Sequence, residues 1–158
     1  VLGTHDDQGF ETAQVKRIID GDTIELTDGR KIRYIGMDTP ETKHPSKKQQ
    51  CFGQEASQKN KELVEGKLVK LEKDVSETDR YDRLLRYVWV DNQMVNLTLV
   101  KEGFAFARSY PPDIAKQDQL RNAEKSAREV GIGLWSNCQL NPVDQINQVI
   151  ENADESLN

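Results

Sequence analysis

The stretch AQVKRIIDGDTIELTDGRKIRYIG, residues 13–36, holds three runs of alternating apolar and polar residues separated by two Asp-Gly pairs. The runs are AQVKRII (13–19), DTIELT (22–27) and RKIRYIG (30–36), with Asp20-Gly21 and Asp28-Gly29 between them. Alternation of period two turns one face of each run toward a core and the other toward solvent. Asp-Gly between such runs is a strong hairpin signal, because glycine accepts the positive φ of a type I′ turn. The stretch therefore predicts a meander of three antiparallel strands.

Working outward, GQEASQKNKELVEG (53–66) reads as a helix closed by Gly66, with Ala56, Leu63 and Val64 among its apolar positions. KLVKLEKD (67–74) and RLLRYVWVD (83–91) supply two more strands around the polar segment 75–82. MVNLTLVKEG (94–103) and AKQDQLRNAEKSAREVG (115–131) are helices, each stopped by glycine. No internal repeat is visible. Five strands, three of them in a meander and with a helix inserted before the fourth, predict an α+β domain: a five-stranded OB-type barrel with three packed helices.

Composition sets the boundaries. Of the 158 residues, 35% are hydrophobic and 31% charged, so the core is small and much of the surface is solvated. The net charge of −5 argues at first against a nucleic-acid partner. Residues 1–12 and 139–158, however, contain seven acids and no Lys or Arg, so residues 13–138 carry all 22 basic residues against 20 acids. We expect an acidic N-terminal tail (1–12), a mildly basic folded body (13–138) and an acidic, polar C-terminal tail (139–158). A body of that charge is compatible with a phosphate-bearing substrate, since local fields outweigh the total. No apolar run is long enough to span a bilayer, and the first residues have neither the basic start nor the apolar stretch of a signal peptide. Cys51 and Cys138, the only cysteines, are too few and too far apart for a zinc site. They either remain two thiols or bridge the start of one helix to the end of another, which would imply an oxidising compartment.

Candidate chemistry gathers at the turns. Asp22 shares strand parity with Ile24 and Leu26, so it leans toward the side those residues face. Burying it alone would be costly, and a cation or a basic partner would offset that cost. Asp38 ends the third strand, which should return beside the second, so the two carboxylates can converge at one mouth of the barrel. Hard oxygen donors favour Ca²⁺ or Mg²⁺ over zinc. The alternative is structural: Asp20 and Asp22 flank a turn and Asp38 caps one. Pro40 stiffens the chain between Asp38 and Glu41, which is suited either to a general base near a metal or to a solvated loop position. His44 reads as a loop residue and His5 as part of the acidic tail. Arg33 lies five residues before Asp38, and Arg83 opens the last strand. Guanidinium groups match phosphate oxygens in pairs, although surface ion pairing is the commoner use of a lone arginine. Tyr81 and Tyr110 are aromatics near turns that can stack on bases or simply pack.

Taken in order, DGDTIEL (20–26), IRYIGMDTPETKHP (32–45), GQEAS (53–57), DRYDRLLRYVWVD (79–91), MVNLTLVKEGFA (94–105), YPP (110–112) and GLWS (133–136) resemble the staphylococcal nuclease (thermonuclease) family. The resemblance covers roughly residues 13–138. It implies an OB-fold barrel with three helices and a Ca²⁺-dependent nuclease that cleaves DNA and RNA, single strands preferred, leaving 3′-phosphate ends. It also implies a monomer with no membrane insertion, located outside the cell or in its envelope. Asp22, Asp38 and the Thr39 carbonyl would be the metal ligands. Glu41 would activate or orient the attacking water, and Arg33 and Arg83 would bind phosphate and stabilise the transition state. Arg80, Tyr81, Arg108 and Tyr110 fall at substrate-binding positions. A non-catalytic OB module that binds nucleic acid or protein is the alternative, and a Ca²⁺-stabilised structural domain a third. Two departures stand out. Asp82 occupies a position where the family commonly has glycine, and offers Arg83 a competing carboxylate. Arg108 replaces one of two tyrosines, so a charge contact would take the place of base stacking.

Overall fold

The alternating runs become strands because each can place its apolar set in one shared core. In the computed structural model, which describes residues 4–5, 9–42 and 50–138, the chain runs β1 (Thr4–His5), β2 (Glu11–Asp20), β3 (Thr23–Leu26), β4 (Lys31–Tyr34), β5 (Met37–Asp38), α1 (Gly53–Val64), β6 (Leu68–Glu72), β7 (Leu84–Val90), β8 (Gln93–Met94), α2 (Val95–Lys101), β9 (Phe106–Ala107), α3 (Gln117–Val130) and α4 (Leu134–Asn137). β2, β3 and β4 form the expected antiparallel meander. β4 then pairs in parallel with β7, β7 pairs with β6, and β6 returns to β2, which closes a five-stranded barrel. Val15, Ile24, Leu26, Ile32, Tyr34, Val69, Leu71 and Val88 fill it and belong to one buried cluster. α1 packs on β2, while α2 packs against β7 and α3.

Several details differ from the expectation. Neither Asp-Gly pair makes a type I′ turn. Gly21 does not adopt a positive φ; glycine is needed there because a Cβ would lie 2.7 Å from the Thr39 hydroxyl oxygen. At the second pair only Gly29 is left-handed, at φ 93°. The Gly29 N–H donates to the Leu26 carbonyl and the Leu26 N–H to the Arg30 carbonyl, the pattern of a three-residue hairpin loop with a bulge. A fourth helix, the single turn α4, joins the three expected. Within the segment assigned to the N-terminal tail, Thr4 and His5 pair with Thr12 and Glu11, and Glu11 bonds Arg30 at 2.8 Å. The C-terminal tail, 139–158, lies outside the described residues, as does His44.

Two features set the geometry around the acids. The β2–β3 register shifts between Ile18 and Asp20, an irregularity that re-aims the end of β2. Gly36 turns the corner between β4 and β5 at φ 80°, where a Cβ would collide with Leu120. Asn60, fully buried in α1, ties these parts together: it donates to the Asp20 carbonyl at 2.9 Å and accepts from the Tyr34 hydroxyl at 2.7 Å.

Cys51 and Cys138 are joined by a disulfide, with sulfurs 2.07 Å apart, that fastens the start of α1 to the end of α4. The bridge encloses a loop of 87 residues. Constraining a loop of that length in the unfolded chain contributes about 4–5 kcal/mol in the chain-entropy description. Replacing both cysteines by serine should lower urea-unfolding stability by about that amount; an unchanged midpoint and slope would show that the bridge contributes nothing.

The loop before β7 yields a second prediction. Asp82 stands at φ 64° and donates its N–H to the Asp79 carbonyl, which accounts for glycine being favoured at this position. Asp82→Gly should stabilise the fold by up to about 1 kcal/mol through relief of the left-handed conformation, measured by thermal or urea unfolding. A loss of stability would mean that the aspartate makes a contact worth more than the strain.

Candidate active site

Asp22 follows the β2–β3 turn and is buried at 7% exposure. Its Oδ1 accepts from the Thr23 hydroxyl at 3.0 Å. Its Oδ2 accepts from the Thr39 N–H at 3.2 Å and from the Thr39 hydroxyl at 3.1 Å, and lies 3.4 Å from Arg33 Nη2. The missing Cβ of Gly21 is what lets Thr39 come this close. Asp38 is placed by the pairing of β5 with β9, opposite Phe106, and its Oδ1 accepts from Arg33 Nη2 at 3.1 Å. Arg33 spends its other terminal nitrogen on the Tyr34 and Met37 carbonyls, at 3.0 and 3.1 Å. It therefore braces the β4–β5 corner and faces both acids with one edge.

Asp20 is the residue that sequence reasoning left at the turn. Its Oδ1 accepts the Asp22 N–H at 3.1 Å. Burial, then the negative charge of Asp22, push Asp20 up to about 8. Burial also pushes Asp38 up to about 7, with Asp22 adding to the rise and Arg33 opposing it. For Asp22 burial works in the same direction, but Arg33, Asp20, the Thr39 amide and the Thr23 hydroxyl outweigh it and hold the group well below the usual carboxylate range. Two acids thus meet one guanidinium with a third beside them, and burial together with the charge of Asp22 favours the protonated forms of Asp20 and Asp38. Such an arrangement suits a hard divalent cation, because carboxylate oxygens are the donors such ions prefer. Among the described residues no group of three or more His, Cys, Asp and Glu side chains is placed to hold a metal ion. A cation here would take Asp22 and Asp38 together with main-chain oxygen and water.

Glu41 is held through its main chain. Its N–H donates to Gln50 Oε1 at 2.9 Å and its carbonyl accepts the Gln50 N–H at 2.8 Å. Gly53, at the start of α1, sits against the Pro40 and Glu41 carbonyls so closely that a Cβ would clash. The loop carrying Glu41 is thereby clamped to the helix.

Tyr110 and Arg108 approach the acids from the other side. The Arg108 N–H donates to the Gly36 carbonyl at 2.8 Å and its guanidinium lies 5.1 Å over the Phe106 ring. Its positive charge opposes the rise of the Asp38 carboxyl. Burial, followed by the charge of Asp38, raises the Tyr110 hydroxyl far above its ordinary value.

Arg83, Arg80 and Tyr81 form a second cluster on the loop before β7. The carboxylate that takes Arg83 is Asp79, at 2.7 Å from Nε, rather than Asp82, and Asp79 also accepts the Tyr81 and Arg83 N–H groups. The competition expected from Asp82 thus comes from four residues upstream, where nothing in the spacing singles it out. The Tyr81 ring is 63% exposed and lies between two guanidinium groups, Arg80 at 4.8 Å and Arg83 at 5.3 Å. The register Ile32↔Leu84 and Arg33↔Leu85 sets this cluster on the strand that runs beside Arg33.

Comparison with known proteins places the chain in a family. Residues 31–137 match the family model described as staphylococcal nuclease homologue. Over 130 residues the chain is 43% identical to the thermonuclease of Staphylococcus hyicus, covering 80% of this chain and 77% of that protein. It is 41% identical over 128 residues to the thermonuclease of Staphylococcus intermedius, covering 79% and 76%. With endonuclease YncB of Bacillus subtilis it shares 45% identity over 125 residues, covering 76% of this chain and 59% of that one. The family-model match begins after Asp20 and Asp22, so the inclusion of those two acids in the site rests on the contacts above. With its closed barrel, its acid and arginine cluster and these matches, the chain belongs to the staphylococcal nuclease family.

Proposed function

We propose that this protein is a Ca²⁺-dependent nuclease that hydrolyses phosphodiester bonds in DNA and RNA. The observation that carries the reading is the meeting of buried Asp22 and part-buried Asp38 at Arg33, with Asp20 on the Asp22 N–H beside them. That much carboxylate in one place is unfavourable without a cation, and a guanidinium beside it is suited to a phosphate. Asp22, Asp38 and the Thr39 carbonyl would hold the ion. When bound, the ion polarises a phosphoryl oxygen and neutralises the acids.

The remaining roles belong to the chain. Arg33 offers the edge now shared by Asp22 and Asp38 to a non-bridging phosphate oxygen, where charge grows as the nucleophile arrives. Glu41, on its clamped loop, accepts the proton of the attacking water or orients it. Arg83 reaches the phosphate by exchanging its bond to Asp79 for one to substrate. Arg80 and Tyr81, with Arg108 and Tyr110 on the other flank, bind the adjoining nucleotides by charge and stacking. Attack in line with the 5′ oxygen leaves a 3′-phosphate end. Single strands are preferred, because their bases are free to stack, and the protein acts as a monomer. The Cys51–Cys138 bridge supports an extracellular or envelope location. Among the described residues no helix is long and apolar enough to cross a membrane.

Digestion of single-stranded DNA tests this directly. Wild type should cleave with Ca²⁺ and stop with chelator, and Glu41→Gln should lower kcat by about 10²–10⁴-fold. Equal rates in all three samples would refute the cation-and-base mechanism, and binding without cleavage would make the domain a binding module.

A further inference from the structure

A cleft of about 230 Å³ opens between the end of β2 and α1. One wall is made by Ile18 and Ile19, which lead directly into Asp20, and by Thr42, which follows Glu41. The cleft therefore borders both chain segments that carry the acids on the side of Asp20 and Glu41. Tyr110 and Arg108 act instead on Asp38 and Arg33.

The other wall is one stripe of α1: Gln54, Ser57, Gln58 and Lys61. Their spacing of i, i+3, i+4 and i+7 puts all four on one helix face. That stripe contains no carboxylate. Its amides and hydroxyl both donate and accept, as the edges of bases require, and Lys61 adds a cation at the end. The stripe is only loosely engaged. Gln58 Nε2 reaches Glu62 at 3.5 Å and Lys61 Nζ reaches Glu65 at 3.9 Å, both at the protein surface. Half-buried Ile18 and Ile19 give an aliphatic floor on which a base can lie. The Thr42 hydroxyl is buried with no hydrogen-bond partner. The cleft is smaller than the roughly 300–1,000 Å³ of a pocket that encloses a whole ligand, so it suits one base with its sugar and phosphate left at the surface.

We propose that this cleft is a nucleotide subsite: it receives the second base from the scissile phosphate on the Glu41 side of a single-stranded nucleic acid, the first base that a dinucleotide lacks, with Lys61 on the phosphate beside it. The proposal rests on the nuclease reading and adds where the strand continues beyond the acids. It makes Gln54, Gln58 and Lys61 determinants of substrate length rather than of the chemical step.

The test compares a dinucleotide with a hexanucleotide, using the full chain and the triple variant Gln54→Ala, Gln58→Ala, Lys61→Ala. Alanine at exposed helix positions favours the helix, so the fold is retained. The dinucleotide rate reports on the acids alone and should stay within about twofold of wild type. KM for the hexanucleotide should rise about tenfold at unchanged kcat, as expected for one lost base contact. Lys61→Ala alone should reduce the slope of log affinity against log salt by about one contact. Hexanucleotide cleavage like wild type, or equal losses on both substrates, would overturn the subsite. If wild type cleaves neither substrate, the nuclease reading fails instead. The cleft is then decided by NMR in chelator, as the hexanucleotide is titrated in. Shifts of the Gln54 and Gln58 side-chain amides support it, and shifts confined to other residues overturn it.

Discussion

The contact between Arg33 and the Asp22–Asp38 pair is the constraint around which the rest of the structure is arranged. One guanidinium nitrogen lies 3.4 Å from Asp22 and 3.1 Å from Asp38, in a site nearly closed to solvent. A single positive charge cannot balance the three acids that meet there. Burial, with the charge of Asp22 adding to it and Arg33 opposing, raises Asp20 to about 8 and Asp38 to about 7, far above ordinary carboxyls. On the proposed function, the site would gain when a doubly charged ion replaces the protons.

The barrel is what forces the acids together. Closure of β2 on β6 and the parallel pairing of β4 with β7 fix the ends of β2 and β4 beside one another. The bulge in β2 and the left-handed corner at Gly36 then aim the chain inward. Gly21 admits Thr39, whose amide and hydroxyl both stabilise the ionised form of Asp22. Asn60 anchors the same turn from α1, which also clamps the Glu41 loop through Gly53. A substitution at Gly21, Gly36, Gly53 or Asn60 would disturb this arrangement without touching substrate.

Much of this was legible in the residues, and what was not has a physical cause. The meander could be read because Asp20-Gly21 and Asp28-Gly29 interrupt clean alternation, although the turns formed are of other types. Strand parity placed Asp22 on the inner side, as observed. The parallel β4–β7 pair and the two-residue strands β5 and β9 could not be read, since such short or distant pairings leave no periodic trace. Asp20 was missed because a turn residue gives no sign that Asn60 will hold its carbonyl and the Asp22 N–H its carboxylate. Asp79 was missed as the partner of Arg83 because it acts through an Asx-type loop, where spacing carries little information. The residues left Glu41 and Arg83 open between a chemical and a surface role, which family resemblance decided, while the Arg108 position came from resemblance alone.

The proposed function requires that a cation bind at the acid cluster and displace protons from it. Its most direct test is calorimetric titration of the protein with Ca²⁺ at pH 7 in buffers of different ionisation enthalpy. A carboxyl raised to about 7 or 8 must lose its proton for the ion to bind. Binding should then release about one proton at pH 7, weaken as the pH falls below 6, and proceed without proton release above about pH 9. Binding at pH 7 with no proton release, or no binding to wild type at all, would contradict the account.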